Sequence, residues 1–371
     1  MRSIWKYSSW LPGVEERSRI MLGEGETPLV ASRALGKRLG LKKLFFKLEN
    51  INPTGSYKDR FAAMAVSRLV NAGIKNCFAT SSGNTGAALA GYCAAAGIQC
   101  YVMVVDGAPA GKLDQMLCYG AHILMVKGFG KDLQVTGSLM ERYARTAESH
   151  GSPVQISAYK YSPEGMSGVQ TIAYEISGEL PGEPLHVFVP AGGGGLLNAM
   201  AKGFKKWAKE NRQYDASSVH CHCVQPEGND TIATPLRTGR EKGVVLANST
   251  TAISGLQVPN VLDGDEVIRA CRETGGTGFT VTDTEVYDAQ HLLSTREGIF
   301  CEPAGAVAYA GLVNAVRAGT VKAETVVCLV TGSGFKDPHS MKRVASGTAY
   351  NYFNTINETF EFIRSNVKNQ V

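Results

Sequence analysis

The 371-residue sequence has no run of about eighteen apolar residues, the length that a helix needs to cross a bilayer. It also lacks a basic block, so its formal net charge of +5 gives no argument for a nucleic-acid or membrane partner. Its nine cysteines follow no repeating spacing, and no apolar signal core follows Met1. These absences predict a cytoplasmic protein with reduced thiols that acts on a small molecule, with no nucleic acid, membrane or metal as a partner.

The chain also lacks internal repeats and low-complexity linkers, so a domain boundary has to come from the order of its predicted elements. Its length exceeds one simple core and favours two domains. Short apolar or β-branched runs predict strands at residues 44–48, 76–80, 100–105, 122–126, 154–157, 185–189, 219–224 and 325–330. Helical patterns separate most of them, at residues 61–72, 86–96, 110–119, 132–150, 165–177 and 196–211.

This alternation of strand and helix is typical of α/β proteins with mostly parallel sheets that helices cover on both faces. We expect two three-layer αβα domains. The larger domain contains residues 1–60 and 160–345, and a smaller nested α/β domain contains residues 61–159. The alternation then ends, and residues 346–371 are predicted to form a helical tail.

Residues 52–60, which read Asn-Pro-Thr-Gly-Ser-Tyr-Lys-Asp-Arg, form a turn that leads into an apolar helix. Ser56 is a good N-cap, and Asp59 places a carboxylate in the first turn, where the helix dipole favours it. Lys58 is thereby held in a partly desolvated position near the positive helix end, which lowers the affinity of its amine for a proton. A neutral amine can attack a carbonyl. The simpler alternative is an exposed charge run, Lys58 to Arg60, at the start of a helix.

A second feature is the polar turn at residues 80–86, which follows a predicted strand and opens a helix of small residues. It contains Ser81, Ser82, Asn84 and Thr85. The hydroxyls, the amide and two glycines offer several donors to one ligand, and the helix N-terminus adds a site for a carboxylate or phosphate. Capping of the helix is the simpler alternative, but capping needs fewer polar residues than this turn has.

A third feature is a glycine loop between a predicted strand and a helix. Its members are Pro190, Ala191, Gly192, Gly193, Gly194, Gly195 and Leu196. Consecutive glycine N–H groups at a helix start can cradle a phosphate. No Lys-Ser or Lys-Thr follows, as a Walker A loop requires, and the spacing is not the Gly-x-Gly-x-x-Gly of dinucleotide folds. A tight turn without a ligand is the simpler alternative, but four successive glycines weaken a turn by entropy.

Thr331 follows the predicted strand at 325–330 and begins a fourth polar loop, residues 331–338. Side chains at the carboxyl ends of parallel strands lie where open α/β sheets bind ligands, although an ordinary glycine-rich strand exit also explains this loop. Two other patterns carry less information. Residues 220–223 read His-Cys-His-Cys, but on a strand they alternate between two faces and cannot share one metal ion. No Gly-x-Ser-x-Gly elbow supports hydrolysis by a serine.

A reactive lysine, a polar amide turn, a glycine phosphate cradle and a hydroxyl at a strand end, in that order, make a pyridoxal phosphate site. The sequence resembles the threonine synthase family of fold-type II pyridoxal-phosphate enzymes. The resemblance covers roughly residues 4–338 and rests on motifs at residues 22–29, 52–60, 81–85, 171–175, 298–306 and 331–338. It implies fold type II, pyridoxal 5′-phosphate as the cofactor, and a homodimer.

The resemblance also implies roles for single residues. Lys58 binds the cofactor covalently and later moves protons, Asn84 hydrogen-bonds to its phenolic oxygen, and Thr331 faces its ring nitrogen. The cofactor phosphate is held by Gly192, Gly193, Gly194, Gly195 and Leu196. Ser82 and Thr85 bind the substrate carboxylate, and Ser81 belongs to the same substrate-binding set. A neutral hydroxyl beside the ring nitrogen suits elimination and replacement better than transamination.

The family pattern is incomplete at the substrate end. Threonine synthases usually carry a phosphate-binding arginine in the segment that corresponds to residues 157–168, and this chain has none there. We expect Lys160 to supply that charge, although it lacks the bidentate fork of arginine. Ser333 stands where the family commonly has histidine, and the four-glycine loop is closer to the dehydratase branch of the superfamily.

The leading expectation is an enzyme, a pyridoxal-phosphate-dependent carbon–oxygen lyase that converts O-phospho-L-homoserine and water to L-threonine and phosphate. Two alternatives use the same cofactor. One is β-replacement on O-phosphoserine, as in cysteate synthases, and the other is deamination of threonine or serine, as in dehydratases. Two further alternatives do not use it: a nicotinamide-dependent oxidoreductase that employs the glycine loop, and a noncatalytic binding protein, against which the retained Lys58 argues.

Overall fold

Two sheets organise the chain in the computed structural model, which describes residues 3–81, 83–106, 110–130, 132–182, 184–211, 218–322, 325–346 and 350–368. Strands β1 to β9 are Leu29–Ala31, Lys43–Leu48, Asn76–Thr80, Gln99–Val104, His122–Met125, Leu185–Pro190, Val219–Pro226, Gly278–Val281 and Thr325–Val330. A six-stranded sheet has the order β1-β2-β9-β6-β7-β8, and a three-stranded sheet has the order β3-β4-β5. The strand pairs are parallel, apart from the antiparallel pair of β1 and β2. The expected α/β class with mostly parallel sheets is confirmed.

Helices lie between most of the strands. Helices α1 to α7 are Leu35–Arg38, Lys58–Asn71, Asn84–Ala96, Ala110–Cys118, Leu133–Ser149, Pro163–Val169 and Thr171–Glu179. Helices α8 to α14 are Gly195–Glu210, Ala233–Arg237, Gly264–Glu273, Asp283–Leu292, Pro303–Arg317, Pro338–Ala345 and Ile356–Lys368. Within the segments that the structure describes, no helix is both long enough and apolar enough to cross a membrane.

The larger sheet is buried on both faces, because its central strands β6 and β9 have buried side chains at every position. On one face, Val187 and Val327 belong to a core that α8 and α10 complete. On the other face, Phe188 and Val326 belong to a second core with α11 and α12. Continuous apolar runs are typical of parallel strands that are covered on both sides. The result is a three-layer αβα arrangement.

The smaller sheet is also covered on both faces. Ala79 and Val102 pack in a core with α2 and α3, whereas Phe78 and Met103 pack against Tyr143 of α5. This sheet lies inside the segment 61–159 that the sequence predicts as a nested domain. Its α2 and α3 side shares one apolar core with α8 of the larger sheet. The domain boundaries at both ends of that segment therefore stay a prediction.

Two predicted elements differ from the structure. The strand expected at 154–157 is wrong, because only Gln155 pairs, through a 2.7 Å bond from its N–H to the Phe78 carbonyl. The next residue instead donates its N–H to the Ser162 hydroxyl. The helix expected at 165–177 is divided into α6 and α7 at Gln170, and the Thr171 hydroxyl donates to the Gly168 carbonyl at 2.6 Å beside this break. The short strands β1 and β8 were not expected.

Buried ion pairs fix the first turn of α2. Arg60 is fully buried and donates to Glu49 at 2.7 Å and to Glu175 at 2.6 Å. Lys47, also fully buried, lies 2.9 Å from Glu175. Burial alone would raise the pKa of Glu175, but the Arg60 guanidinium outweighs it and lowers that pKa to about 2. Asp59 is fully buried as well, so the alternative of an exposed charge run at this turn is wrong.

The His-Cys-His-Cys run lies on β7, and its alternating faces are confirmed. Cys221 and Cys223 face the core with α8 and α10. His222 lies on the other side, 2.8 Å from the Nδ1 atom of His186 and stacked on the Phe188 ring. Burial and the neighbouring His186 lower the pKa of His222 to about 3, so the His222 ring is neutral.

Candidate active site

The four sequence motifs meet at the carboxyl ends of the strands. The glycine loop follows β6, Thr331 follows β9, and the polar turn follows β3 of the smaller sheet. The N-terminus of α2 brings Lys58 between them, and together they border a cavity of about 290 Å³. The predicted residues that line it are Lys58, Ser81, Asn84, Thr85, Gly192, Gly193, Gly194, Gly195, Leu196 and Thr331. This position agrees with the rule for ligand sites in open α/β sheets.

The Lys58 amine lies in this cavity next to neutral groups. Its Nζ donates a 2.6 Å hydrogen bond to Ser157 Oγ and lies 4.5 Å from the centroid of the Tyr57 ring. Burial lowers the pKa of Lys58 to about 7, although the charges of Asp263 and Glu302 oppose the shift. A large fraction of this amine is therefore neutral near pH 7, and it can act as a nucleophile or as a base.

Ser157 connects the lysine to the polar turn. Its Oγ lies 3.0 Å from Oγ1 of Thr85, a residue in the first turn of α3 that is 8% exposed. Because a hydroxyl can both donate and accept, the Lys58 amine and these two hydroxyls form one chain of hydrogen bonds. A proton can pass along it between the lysine and a ligand at the polar turn.

The glycine loop is packed so closely that larger residues do not fit. A Cβ at Gly193 would lie 2.5 Å from Leu262 Cδ1, and a Cβ at Gly195 would lie 2.9 Å from the Ser157 carbonyl oxygen. Gly194 has a φ of +93°, which side chains of L-residues rarely adopt. Helix α8 begins at Gly195, so its first N–H groups have no partner within the helix and can bind an anion.

A buried carboxylate also lines the cavity. Glu302 is 4% exposed and accepts a 2.6 Å bond from the Asn84 side-chain amide. Its backbone N–H donates to the carbonyl of Gly332, directly after Thr331. Burial raises the pKa of Tyr57, and the Glu302 charge adds to the rise, so this phenol stays protonated. The Tyr57 N–H donates to the Thr331 carbonyl and thereby ties the end of β9 to the lysine turn.

The structure does not place two of the predicted substrate-binding residues at the cavity. Ser82 lies outside the described residues. The Lys160 side chain does not border the cavity: its amine lies 5.6 Å from the centroid of the Tyr161 ring. Its backbone N–H is fixed by a 3.1 Å bond to the Asp263 carboxylate. The structure therefore does not bring the Lys160 charge to the other predicted site residues.

Tyr57, Ser157 and Glu302 line the cavity and were not predicted from the sequence. Tyr57 stands beside the lysine, and Glu302 precedes Pro303 at a helix start, where a negative charge is favourable, so both had a usable signal. Ser157 is the last residue of the wrongly predicted strand at 154–157 and had none. Irregular chain at residues 254–258 also lines the cavity against the glycine loop, without a recognisable sequence pattern.

A larger cavity of about 710 Å³ adjoins the first one. The two share Asn84 and Glu302 as wall residues. Lys336 and Gln115 also line the larger cavity, and the Lys336 amine donates a 2.7 Å bond to the Gln115 side chain. The site therefore continues past Asn84 into a space that is large enough for an amino-acid substrate.

These residues fit pyridoxal 5′-phosphate. The glycine loop leaves no room for a Cβ and presents the N–H groups of a helix start, as a phosphate requires. A lysine with a pKa near 7 suits covalent attachment of an aldehyde. Asn84 and Thr331 line the same cavity as the glycine loop and the lysine. Fold and site together define a pyridoxal-phosphate-dependent enzyme.

Known proteins that are similar in sequence give the same class. The family model described as pyridoxal-phosphate dependent enzyme matches residues 20–332. The threonine synthase of Methanocaldococcus jannaschii is 34% identical over 347 residues, which cover 92% of this chain and 82% of that protein. The threonine synthase of Halalkalibacterium halodurans is 34% identical over 90% of this chain and 89% of that protein. The chain belongs to the pyridoxal-phosphate dependent enzymes and, among them, to the threonine synthase family.

Solved structures agree with the fold. The processed form of threonine deaminase isoform 2 from Solanum lycopersicum has a TM-score of 0.72 at 22% identity and covers 93% of this chain and 88% of that one. Maize serine racemase has a TM-score of 0.68 at 22% identity and covers 93% of each chain. These likenesses confirm the expected fold type II. The family match also favours the pyridoxal phosphate interpretation over the nicotinamide-dependent alternative.

Proposed function

We propose that this enzyme converts O-phospho-L-homoserine and water to L-threonine and phosphate. The identity with threonine synthases supports the substrate, and the hydrogen-bonded chain of Lys58, Ser157 and Thr85 supports the chemistry. The reaction breaks the bond between Cγ and the phosphate oxygen and adds the water oxygen at Cβ, so protons must move among the substrate carbons. An amine with a pKa near 7 can take up and release those protons.

In this proposal the cofactor is bound by the residues around the 290 Å³ cavity. Lys58 holds it covalently, Asn84 faces its phenolic oxygen, and Thr331 faces its ring nitrogen. Its phosphate is held by Gly192, Gly193, Gly194, Gly195 and Leu196. When bound, pyridoxal phosphate withdraws electrons from the amino acid and makes the Cα–H bond easier to break. The neutral Thr331 hydroxyl gives the ring nitrogen little reason to stay protonated, which favours elimination and replacement.

The polar turn binds the substrate carboxylate in this proposal. Ser81 and Thr85, together with Ser82, supply hydroxyls, and the N-terminus of α3 adds free N–H groups. Ser157 contacts both Thr85 and Lys58, so it orients the lysine amine toward the end of the substrate that carries the Cα proton. Lys160 stays a predicted partner of the substrate phosphate. If it has that role, Lys160→Met will raise KM for phosphohomoserine and leave KM for an unphosphorylated amino acid unchanged.

The substrate is tested with the cofactor-loaded enzyme and three separate mixtures. These are phosphohomoserine, O-phosphoserine with sulfite, and threonine or serine, with products identified by mass spectrometry. We expect threonine and phosphate in equal amounts from the first mixture, and a first mixture without threonine would contradict the proposal. Borohydride reduction and peptide mapping are expected to leave a pyridoxyl group on Lys58. A label on another lysine would contradict the role of Lys58.

A second candidate is β-replacement on O-phosphoserine or deamination of threonine or serine. Two observations favour the deamination, because its substrates carry no phosphate: residues 157–168 contain no arginine, and the Lys160 amine does not border the cavity. Both leave the phosphate of phosphohomoserine without an obvious cationic partner in that segment. Cysteate from phosphoserine and sulfite, or 2-oxobutyrate from threonine, would support this candidate if the first mixture gave no threonine.

We also propose a homodimer and a cytoplasmic location, as the resemblance and the composition imply. Light scattering of the purified enzyme tests the first, with twice the 39.6 kDa chain mass as the expected result. Cell fractionation tests the second. A monomer in the first experiment, or enzyme in a membrane or extracellular fraction in the second, would contradict the respective statement.

A further inference from the structure

Three cysteine side chains meet in the smaller sheet, away from the cofactor cavity. Cys77 on β3 and Cys100 on β4 are direct partners in the parallel ladder. Cys93 lies on α3, which packs against the same face of the sheet. The three sulfur atoms lie within 4.8 Å of one another. Cys77 and Cys93 are 0% exposed and Cys100 is 4% exposed, so apolar side chains surround the group.

Proximity, and not burial, distinguishes this group, because free cysteines are commonly buried as small apolar residues. Cys221, Cys223 and Cys271 are equally buried, in the core between β7 and α10. Among the described residues, however, the group in the smaller sheet is the one set of His, Cys, Asp or Glu side chains whose ligand atoms lie close enough to hold a metal ion. The second trio therefore provides a control within the same chain.

The ligand atoms select the kind of ion. All three are sulfur, and no fourth His, Cys, Asp or Glu of the described segments joins them. Structural Zn²⁺ sites are almost always four-coordinate and tetrahedral. Soft thiolate ligands also select Cu(I), which is stable with two or three sulfur ligands and needs no fourth. We propose that Cys77, Cys93 and Cys100 form a buried three-sulfur site for Cu(I).

Binding at this site involves no change of oxidation state. The ion enters as Cu(I), copper–sulfur bonds form, and each thiol that becomes a thiolate ligand releases its proton to solvent. The bound ion links β3, β4 and α3. Cys77 precedes Thr80 by three residues, roughly 10 Å along the strand, so the ion does not touch a ligand at the polar turn. The expected effect is on the stability of the smaller sheet and not on the reaction.

The test uses the full chain with its cofactor, reduced and kept free of oxygen. A Cys118→Ser background removes the exposed thiol. Cu(I) is supplied in buffer with acetonitrile and competed against bathocuproine disulfonate, a coloured Cu(I) chelator. We expect one Cu(I) per chain, X-ray absorption with sulfur as the nearest neighbours, and a higher Tm for the copper-loaded protein.

The main variant is Cys93→Ala, because alanine is favourable within a helix and the change removes one ligand. We expect its affinity for Cu(I) to fall at least about tenfold, since the binding energy comes from few metal–ligand bonds. Cys100→Ser provides a second ligand variant of nearly the same size if the first does not fold. The matched control is Cys271→Ala, which removes an equally buried helical thiol and is expected to leave copper binding unchanged.

Several results would overturn the proposal. One is a parent chain that binds no Cu(I) under these conditions. Another is an affinity that stays the same in the folded ligand variants, or that falls equally in Cys271→Ala. Nitrogen or oxygen as the nearest neighbours of copper would show that the ion lies elsewhere. These results leave the threonine synthase proposal untouched, because the site does not border the cofactor cavity.

Discussion

Lys58 and Arg60 lie two residues apart in the first turn of α2, and their surroundings are opposite. Arg60 is fully buried and donates to two buried carboxylates, those of Glu49 and Glu175. Lys58 contacts the neutral hydroxyl of Ser157, and burial lowers its pKa to about 7. A buried cation with paired carboxylates keeps its charge and anchors the helix. A buried cation among neutral groups gives up its proton easily and becomes reactive.

Asp59, between these two cations, has a third role. Its carboxylate accepts bonds from the N–H and the hydroxyl of Thr54 and from the N–H of Ser56, so it shapes the turn before the helix. Burial raises the pKa of Asp59 to about 7, although these hydrogen bonds oppose the rise. Of these three adjacent residues, Lys58 serves the chemistry, Asp59 shapes the turn and Arg60 anchors the helix.

The largest expected effect separates activity from stability. Lys58→Met removes the amine and keeps a side chain of similar length. We expect turnover of phosphohomoserine to fall at least about a thousandfold, as when a residue that acts directly on the substrate is removed. The free energy of unfolding of the cofactor-free protein should not fall, because no buried ion pair is lost. Phosphate release and urea unfolding measure the two quantities. If the Lys58→Met variant stayed active, or unfolded at a lower urea concentration than the parent protein, Lys58 would not differ from Arg60 in the way proposed.

Arg60→Met should act through stability instead. It leaves Glu49 and Glu175 buried without their cation, which typically costs about 3–5 kcal/mol of unfolding free energy. Urea unfolding of the cofactor-free protein measures the loss. The matched control on the same helix is Arg68→Met, because Arg68 pairs at 2.8 Å with the exposed Glu164. That surface pair should contribute at most about 1 kcal/mol. Equal losses in the two variants would contradict the anchoring role of Arg60.

The reactivity of Lys58 should increase with pH, because its amine reacts only in the neutral form. Because this pKa is lowered to about 7, the amine is neutral above that pH and protonated below it. The rate of cofactor uptake by the cofactor-free protein should therefore fall about tenfold per pH unit below 7 and stay level above it. The visible absorbance of the bound cofactor measures uptake, and N-acetyl-lysine is the control amine. If the rate of cofactor uptake kept rising above pH 9, as expected for the control amine, the pKa of Lys58 would be that of an ordinary lysine.

The smallest expected effect concerns the charge of Glu302, which lines the same cavity as Lys58. Glu302→Gln keeps an oxygen that can accept the bond from Asn84 and removes a charge that favours the protonated amine. The pH profile of cofactor uptake should move to lower pH by less than about one unit. Glu358→Gln in the exposed helix α14 is the control and should leave the profile unchanged. A move to higher pH would show that Glu302 does not act on Lys58 by its charge.

Much of the site could be predicted from the sequence because each motif is local. The lysine turn, the polar turn and the glycine loop are contiguous residues after a strand, and their chemistry can be read without the fold. Ser157 could not be found in this way, and the local signal of Glu302, a carboxylate at a helix start, does not reveal its partner. Ser157 contacts Lys58 across 99 residues, and Glu302 contacts Asn84 across 218. The burial of Arg60 was equally hidden, because its partners Glu49 and Glu175 come from other elements.

The fold could be predicted where strands and helices are long and apolar. The αβα layers follow from buried runs such as β6 and β9, in which every side chain is inside. The short strands β1, with three residues, and β8, with four, were missed, because so few residues carry little periodic pattern. The run at 154–157 is similarly short, and only its tertiary surroundings decide that a single residue pairs.

The position of β9 between β2 and β6 has a consequence for synthesis on the ribosome. A nascent chain has all three strands of the smaller sheet once residue 125 has been made. The larger sheet cannot close until residues 325–330 arrive, because only they join β2 to the rest. Until then one edge of Lys43–Leu48 has no strand beside it, and such edges invite aggregation. Thr331 emerges with the same segment, so the lysine pocket is completed only when translation is nearly over.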